Sequence, residues 1–476
     1  MGVFFRFILV ILFFAMSLNA IVIDANALGF LPENTPLENS AALQKALDGG
    51  RRKVYVARPG TYEVGATVYL DDDTELEFAA GVLLKKCGKF SHILVNRGAY
   101  EGKTNHGIVL RGLHFSAGEL DGVIPDGNSA APGLRGQIAF YHIRDIKVFE
   151  FQCLEYAGLQ YCIQFVDFED LLIDGFDIRG KKDGIHLNDG RKFVIRNGIL
   201  STGDDGIALN AGDWPVTCTP RIRSIEDGLI EKVQDIGGQC NFARVITACW
   251  KTWHEGMELV RGDLFCHQGK VYTVFMPIGP TKYISHEPPT QAHGLWTSSD
   301  GITYQYLQED DGCTHADIRN VLFRDITLHA HRGISCSWEI CEYSRDIHPE
   351  IPPEDYPVID ISLENVVFAP ERDGADFTDS ILYGFASATI HMKKCSSTVR
   401  LAHNWGRVSG PFGDFPTQRK IYVEDSAFLD DGHKTPDFEF TGDDPVTLVF
   451  RNCRQERPVR IIGANVAVEG DVQVVR

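Results

Sequence analysis

Short runs of alternating apolar and polar residues recur along most of the chain, and this period-2 pattern predicts β-strands. The clearest runs are 108–110, 146–148, 171–173, 193–195, 225–230, 321–323, 359–363, 388–392, 421–423, 446–450 and 459–462. The runs have no helix-length partner segments between them, which argues against βαβ folds and leucine-rich repeats. The pattern therefore favours an all-β fold, a right-handed parallel β-helix, whose flat faces offer a long groove for an extended polymer.

The N-terminal part of this solenoid is expected to carry a capping helix. Residues 39–47 include an apolar face formed by Ala42, Leu43, Ala46 and Leu47. Asn39 or Ser40 is the expected N-cap, and Gly49 and Gly50 are expected to end the helix. Such a helix would cover the open first coil, which a solenoid needs for solubility.

Residues 262–308 interrupt the repeating strand pattern with hairpin-like runs separated by turn residues, which predicts a small β-rich insertion. The expected domains are therefore a β-helix catalytic domain over 21–261 and 309–476, interrupted by this insertion. Its aromatic residues Trp296, Tyr304 and Tyr306 have two possible roles. They either stack on sugar rings or form the core of the insertion itself.

Residues 1–20 read as a secretory signal peptide, with Arg6 near the start, an apolar run, and small residues Ser17 and Ala20 at the end. The apolar run is short for a membrane anchor, so cleavage near Ala20 is expected. We therefore expect a secreted or periplasmic protein that does not remain in a membrane.

Composition narrows the possible partners. The chain of 476 residues has a net charge of −19, which disfavours nucleic acid because phosphate binding needs a basic face. An acidic polysaccharide would need a local basic patch. The 12 cysteines show no zinc-type spacing, and buried thiols are expected for most of them. No cofactor or metal is expected.

Candidate chemistry lies in two similar segments, DGIHLN from Asp183 and DDGIALN from Asp204. The acidic starts of the two segments are 21 residues apart, a plausible length for one solenoid coil. Asp183 and Asp204 are therefore expected to stack on adjacent coils, about 4.8 Å apart, with Asp205 beside them. Neighbouring carboxylates repel one another, so such a cluster is typical of catalysis or of cation binding, although Asp-Gly also occurs in ordinary solvated turns.

The two segments resemble the motifs of family 28 glycoside hydrolases, the polygalacturonase group within the pectin-lyase-like β-helix superfamily. Lys182-Asp183-Gly184-Ile185 lies where that family has Asn-Thr-Asp-Gly, and Gly203 to Ala208 lies where it has Asp-Asp-Cys-Ile-Ala. The resemblance implies inverting hydrolysis, with Asp204 as the general acid and with Asp183 and Asp205 activating the attacking water. Inversion needs about 6.5–9.5 Å between acid and base.

Two motifs of that family are absent from this chain. Gln239 lies roughly where the histidine of a Gly-His-Gly motif is expected, and no Arg-Ile-Lys follows. Arg244 and Arg332 are the candidates for binding a substrate carboxylate in its place. The remaining residues expected to line the substrate site are His186, Asn188, Asn210 and Trp214.

The sequence thus predicts a glycosidase that cleaves a polysaccharide or oligosaccharide, of the pectin type or another glycan. A polysaccharide lyase or epimerase on the same fold ranks second, because no Lys or Arg is tied to the acids by a motif. In such an enzyme the three acids could instead hold Ca²⁺. A third possibility is a non-catalytic glycan-binding adhesin.

Overall fold

The computed structural model describes residues 21–212, 221–238, 240–277, 281–329, 332–338, 357–369, 379–384, 388–404, 419–429, 435–440 and 445–476. The expected signal peptide lies outside this range. The helices are α1 (Pro36–Leu47) and α2 (Gly98–Glu101). The strands up to the inserted sheet are β1 (Ile21–Asp24), β2 (Arg52–Val56), β3 (Gly60–Val64), β4 (Val68–Leu70), β5 (Thr74–Phe78), β6 (Val82–Lys86), β7 (Leu94–Asn96), β8 (Asn105–Arg111), β9 (His114–Ser116), β10 (Gly136–Cys153), β11 (Tyr161–Gly180), β12 (Ile185–Thr202), β13 (Ile207–Asn210), β14 (Ile225–Asp235) and β15 (Asn241–Cys249).

The remaining strands belong to the insertion and to the C-terminal coils. Those of the insertion are β16 (Lys251–Thr252), β17 (Met257–Leu259), β18 (Leu264–His267), β19 (Lys270–Met276), β20 (Tyr283–Ser285), β21 (Leu295–Thr297) and β22 (Thr303–Glu309). Those that follow are β23 (His315–Ala316), β24 (Ile318–Leu328), β25 (Arg332–Trp338), β26 (Ile359–Phe368), β27 (Ser380–Gly384), β28 (Ala388–Lys393), β29 (Ser396–Ser397), β30 (Arg400–Asn404), β31 (Arg419–Glu424), β32 (Ala427–Phe428), β33 (Phe438–Phe440), β34 (Val446–Arg451), β35 (Arg454–Gln455), β36 (Val459–Ile462), β37 (Val466–Glu469) and β38 (Val474–Val475).

Parallel pairing between successive coils builds the solenoid. Ile163 of β11 pairs with Ile185 of β12, and Ile185 pairs with Ile207 of β13, so these coils repeat every 22 residues. The paired side chains stack inside the coil, where all three isoleucines are at most 1% exposed. Burial of apolar side chains removes their surface from water, the main force that holds such a stack together. The predicted right-handed parallel β-helix is confirmed.

The corners of the coils are made by residues with left-handed backbone conformation. One ladder of corners consists of Asp145, Asp170, Lys192 and Asp227, with φ between 50° and 59°. A second ladder consists of His142, Asp167 and Asp189, with φ between 46° and 56°. Asp and Asn tolerate this conformation better than most other residues, so the chain can turn a corner without leaving the parallel ladder. The long strands β10, β11 and β12 therefore bend around the core.

Helix α1 begins four residues earlier than an N-cap at Asn39 would place it. Thr35 is the N-cap, and its hydroxyl and the Glu38 carboxylate form a capping box. Asn39 and Ser40 are instead buried and bind backbone groups of the first coils, for example through the Ser40 hydroxyl, which accepts hydrogen bonds from the Gly65 and Ala66 amides. Among the described residues, neither helix has the length and apolarity that crossing a bilayer requires.

A separate five-stranded sheet, formed by β16, β18, β19, β21 and β22, projects between β15 and β23. Its strands run from Lys251 to Glu309, so the sheet begins before residue 262. Tyr304 is fully buried in the core of this insertion, and Trp296 and Tyr306 pack against that core while half-buried. These three aromatic side chains therefore contribute to the core of the insertion.

Several cysteines within the described ranges are free thiols, among them Cys153, Cys162, Cys313, Cys336 and Cys395. Cys153, Cys162, Cys336 and Cys395 are buried, as expected for side chains inside a solenoid, whereas Cys313 is exposed. Cys341, which is close to Cys336 in sequence, lies outside the described residues.

Candidate active site

The parallel register brings the predicted acids to one corner of the solenoid. Asp183 lies two residues before β12, and Asp205 lies two residues before β13. The Gly184 amide donates a hydrogen bond to the Asp205 carbonyl at 2.9 Å. Asp183 is therefore the coil neighbour of Asp205, and the expected alignment of Asp183 with Asp204 is wrong by one residue. The coil is one residue longer than the distance between the two motifs.

Close packing of adjacent coils requires a glycine after Asp183 and after Asp205. A Cβ atom at Gly184 would lie 2.6 Å from the Gly206 carbonyl oxygen, and one at Gly206 would lie 2.7 Å from the Phe242 carbonyl oxygen. Neither distance is compatible with a side chain, so the backbones of adjacent coils approach at these points only because the residues are glycines. The glycines thereby hold the preceding carboxylates on neighbouring coils.

Lys182 is the coil neighbour of Asp204, and it links two of the acids. Its Nζ contacts the Asp204 carboxylate and lies 3.4 Å from Oδ1 of Asp183. The side chain of Asp204 is 29% exposed, whereas that of Asp183 is 4% exposed. Asp204 and Lys182 therefore form the solvent-facing side of the cluster, and the ammonium group occupies the gap between Asp204 and Asp183.

The buried side chain of His186 helps to hold Asp183 as an ionised carboxylate. Nδ1 of His186 lies 2.8 Å from its Oδ2, and the His186 ring stacks on Tyr161 with centroids 3.8 Å apart. Burial by itself would raise the pKa of Asp183. The hydrogen bond to His186 and the positive charges of Lys182 and Arg244 outweigh burial, and they leave the pKa of Asp183 below its ordinary value.

Asp205 has the opposite electrostatic environment. Burial and the negative charge of Asp183 raise the pKa of Asp205 to about 7, against the opposing effects of Arg244 and Asn241. Nδ2 of Asn241 donates to Oδ1 of Asp205 at 2.6 Å, and Arg244 Nη1 lies 3.8 Å from Oδ2. The Tyr383 hydroxyl in turn donates to Oδ1 of Asn241 and fixes the orientation of that amide. Near neutral pH, Asp205 thus keeps a proton that Asp183 has lost.

Arg332 lies on the coil that follows the coil of Asn241. It pairs with Asn241 across β25 and β15, and its guanidinium lies above the Tyr383 ring at 5.8 Å. The positive charges of Arg332 and Arg244 oppose the burial that raises the pKa of the Cys240 thiol, and Cys240 Sγ lies within 4.8 Å of carboxylate oxygens of Asp204 and Asp205. With Lys182, these arginines form a local basic patch in a chain of net charge −19.

A metal ion is a poor fit to this cluster. Among the described residues, Asp204, Asp205 and Cys240 offer three potential ligand atoms within 4.8 Å of one another. Ca²⁺ prefers six to eight oxygen ligands, whereas this set includes a thiol. Lys182 and Arg244 also neutralise the carboxylates that would attract a cation. The residues therefore favour proton chemistry over metal binding.

The other predicted substrate-site residues are less accessible. His186, Asn188 and Asn210 are fully buried. Asn188 accepts a hydrogen bond from Gln164 at 3.0 Å and donates to the Asn210 carbonyl at 2.8 Å, which ties three coils together. Trp214 and Gln239 lie outside the described residues.

Lys182, Asn241 and Tyr383 were not predicted from the sequence. A signal for Lys182 was present, because it replaces the threonine of the family motif and directly precedes Asp183. Asn241 and Tyr383 carried no local signal. They reach the site through coils of unequal length, since Ile207 pairs with Ala243 and Ile334 pairs with Leu382.

Comparison with known proteins gives fold neighbours but no family membership. No protein-family model and no curated sequence matches this chain. Among solved structures, a family 28 exopolygalacturonase from Yersinia enterocolitica matches with a TM-score of 0.48 and 13% identity, over 96% of this chain and 79% of that one. The catalytic unit of a family 87 α-1,3-glucanase from Streptomyces thermodiastaticus matches with a TM-score of 0.48 and 12% identity, over 96% and 70%.

The A-module of a mannuronan C-5 epimerase from Azotobacter vinelandii also matches, with a TM-score of 0.41 and 11% identity, over 95% of this chain and 100% of that one. These structures include two glycoside hydrolases and an epimerase. At such identities and TM-scores the similarity does not indicate an activity, so a functional assignment has to come from the residues of the cluster.

Proposed function

We propose that this protein is a glycosidase that cleaves a polysaccharide or oligosaccharide by carboxylate acid–base chemistry. The observation that carries the proposal is the contrast between two adjacent buried carboxyls. Asp183 is held ionised, and Asp205 is held protonated to about pH 7. Glycoside hydrolysis needs one carboxyl of each kind, and opposite environments are the usual means of keeping both at one pH.

The three acids then have separate roles. Asp183, oriented by His186, is the base that activates the attacking water. Asp204 is the most exposed of the three, so it is the carboxyl that protonates the leaving glycosidic oxygen. Asp205 supplies the proton to Asp204 through one bridging water, because oxygens of the two lie within 4.8 Å, too far apart for a direct transfer. The resemblance to family 28 implies a base role for Asp205, but a carboxyl that keeps its proton to about pH 7 is better suited to storing that proton.

Lys182 connects this chemistry to the choice of substrate. Its ammonium group lies where water and sugar must enter between Asp204 and Asp183. A uronate carboxylate can draw this ammonium group away from Asp204, with Arg244 and Arg332 as further cations at the same place. We therefore propose a uronate-containing glycan as the substrate, with inversion at the anomeric carbon. Export by the predicted signal peptide would place the enzyme where such polymers occur.

Lys182 also favours a second candidate, a polysaccharide lyase or epimerase acting on uronate. In both reactions a base removes the proton next to the carboxylate, and cations stabilise the resulting charge. The sequence motifs gave no Lys or Arg for this role, but Lys182 and Arg244 lie within 4 Å of the acids, which supports this candidate. Hydrolysis remains the better-supported reaction, because an ammonium group paired with Asp204 must first lose its proton to become a base.

Kinetics on two substrates with different leaving groups test the proposal. The first is an oligogalacturonide, and the second is an aryl galacturonide whose leaving group needs no protonation. We expect Asp183→Asn to lower kcat/KM about 10²–10⁴-fold on both substrates, because both reactions need the base. Asp204→Asn should lower it by a similar factor on the oligogalacturonide and much less on the aryl substrate.

Asp174→Asn is the matched control, since Asp174 is a surface carboxylate ion-paired with Arg196 on the same sheet. It should leave both rates unchanged. Products with a new reducing end and no double bond support hydrolysis. An unsaturated product would replace hydrolysis with elimination, and full activity of Asp204→Asn on the oligogalacturonide would refute the acid–base assignment.

A further inference from the structure

A cleft lies at another corner of the solenoid, where the inserted sheet joins the coils. It has a volume of about 390 Å³, and we call it the corner cleft. Its main lining residues are Asp167, Asp189, Arg221, Arg223, Trp250 and Asp311. The volume falls within the range of about 300–1,000 Å³ that is usual for small-molecule sites, and such sites are frequent where domains meet.

The corner cleft is separate from the acid cluster. Asp189 lies in β12, six residues beyond Asp183, which corresponds to about 20 Å of extended chain. Asp167 and Asp189 are consecutive members of the second corner ladder, so both side chains leave the coil at the same corner. The backbone that shapes the cleft is therefore part of the solenoid.

The charges in the corner cleft are paired. Arg221 Nε lies 2.7 Å from Asp189 Oδ2, and its Nη1 lies 2.8 Å from Asp167 Oδ2. The other arginines of the cleft are also paired, Arg144 with Asp167, Arg191 with Glu169 and Arg223 with Asp311. Because each guanidinium already has a carboxylate partner, the cleft offers no surplus positive charge for a phosphate, sulfate or uronate.

Two buried donors of the cleft residues lack an acceptor. The indole N–H of Trp250 and Nε–H of Arg223 have no hydrogen-bond partner in the described part of the chain. Trp250 itself is only 3% exposed. An unpaired buried donor destabilises the folded protein, so an acceptor oxygen of a ligand that reaches either N–H group would relieve that cost.

We propose that the corner cleft binds a neutral sugar unit of a glycan chain, at a site distinct from the acid cluster. Sugar hydroxyls both donate and accept, so a ring in the cleft can accept from the N–H groups that it reaches and donate to carboxylates such as Asp167 and Asp311. Planar charged side chains with an aromatic neighbour suit vicinal hydroxyl groups, whereas a free anion would find each arginine already neutralised. The cleft would thus hold a polymer by a segment that is not being cleaved.

Calorimetric titration with defined disaccharides tests this inference. The full-length protein carrying Asp183→Asn, which blocks turnover without touching the cleft, is titrated with galactobiose, cellobiose, digalacturonate and inorganic sulfate. We expect a neutral disaccharide to bind, and Arg223→Gln or Trp250→Phe added to that protein to weaken its binding about tenfold, the effect of losing one hydrogen bond. Trp250→Phe keeps an aromatic ring and removes only the N–H group and part of the ring area.

Arg196→Gln is the control, because Arg196 of β12 pairs with Asp174 of β11 but lines no part of the cleft. It should leave the affinity unchanged, and thermal unfolding should show that the Arg223 variant is folded. The inference is overturned if no neutral disaccharide binds, if Arg223→Gln weakens the binding of digalacturonate or sulfate instead of a neutral disaccharide, or if Arg223→Gln has no effect. Because the readout is binding to a protein that does not turn over, failure of the glycosidase proposal would leave this result intact.

Discussion

Opposite protonation of two carboxyls on neighbouring coils is the central feature of the site at the scale of single residues. Asp205 is more than 90% buried and carries a pKa raised by burial and by Asp183. A carboxyl whose pKa is raised by folding stabilises the protein below its unfolded pKa and loses that contribution as pH rises through the folded value. Asp205 therefore costs stability near and above neutral pH, as expected of a residue kept for chemistry.

We predict that Asp205→Asn makes the protein more stable at pH 8 by about 3 kcal/mol, while the difference from the parent protein shrinks toward pH 4. The asparagine stays neutral at every pH and can still accept the hydrogen bond from Asn241. Urea unfolding at pH 4, 6 and 8 measures the effect.

Asp204→Asn is the control for this prediction, since Asp204 is partly exposed and paired with Lys182. Its stability difference should not grow in favour of the variant with pH. A constant difference for Asp205→Asn between pH 4 and pH 8 would mean that Asp205 is already ionised in the folded protein at low pH.

At the scale of secondary-structure elements, helix α1 covers the beginning of the solenoid, and the first coils depend on it. Leu43, Ala46 and Leu47 are fully buried against the first coils. In a solenoid each coil contacts mainly its neighbours, so the end coils have only one neighbouring coil and depend on their cap. The capping box of Thr35 and Glu38 is therefore expected to influence the whole N-terminal end.

We predict that Thr35→Ala lowers the stability of the N-terminal coils by about 1 kcal/mol, because the Oγ1 contacts to Glu38 are lost. Hydrogen exchange of the amides in α1 and β2 to β4 should show the loss, while exchange in β31 to β34 should not change. Thr35→Ser keeps the hydroxyl and should retain near-parental protection. Equal effects of the alanine and serine variants would show that the cap contributes through packing of the methyl group instead.

Prediction from the sequence worked best where the structure repeats locally. The period-2 strands and the Asp-Gly motifs follow from the spacing of a few adjacent residues, so the β-helix and the acidic cluster were accessible. The pairing register between segments distant in sequence could not be predicted, because the turn lengths between coils vary. An error of one residue in coil length paired Asp183 with Asp204 instead of Asp205, and it hid the pairing of Lys182 with Asp204. The N-cap of α1 was placed wrongly because Asn39 and Ser40 are good capping residues. In the structure their side chains bind backbone groups of the first coils instead.

At the scale of the whole molecule, a strongly negative chain carries a site with three cations. The net charge is −19, and the local cations are Lys182, Arg244 and Arg332. The repulsion of an anionic polymer by the whole protein acts over long distances and is screened by salt, whereas contacts at the site act over a few ångströms and are screened less. The two contributions should therefore separate when ionic strength is changed.

We predict that KM for an oligogalacturonide falls by roughly 2–5-fold when ionic strength rises from about 0.01 M to about 0.15 M, which shortens the screening length from about 30 Å to about 8 Å. The long-range repulsion weakens over this range, while Lys182, Arg244 and Arg332 still meet the substrate at contact distance. An uncharged aryl glycoside, if it is turned over, should show a constant KM and serves as the control for general salt effects. A KM for the oligogalacturonide that instead rises with salt would mean that the local cations outweigh the net charge even at long range, and that the positive patch extends well beyond these three residues.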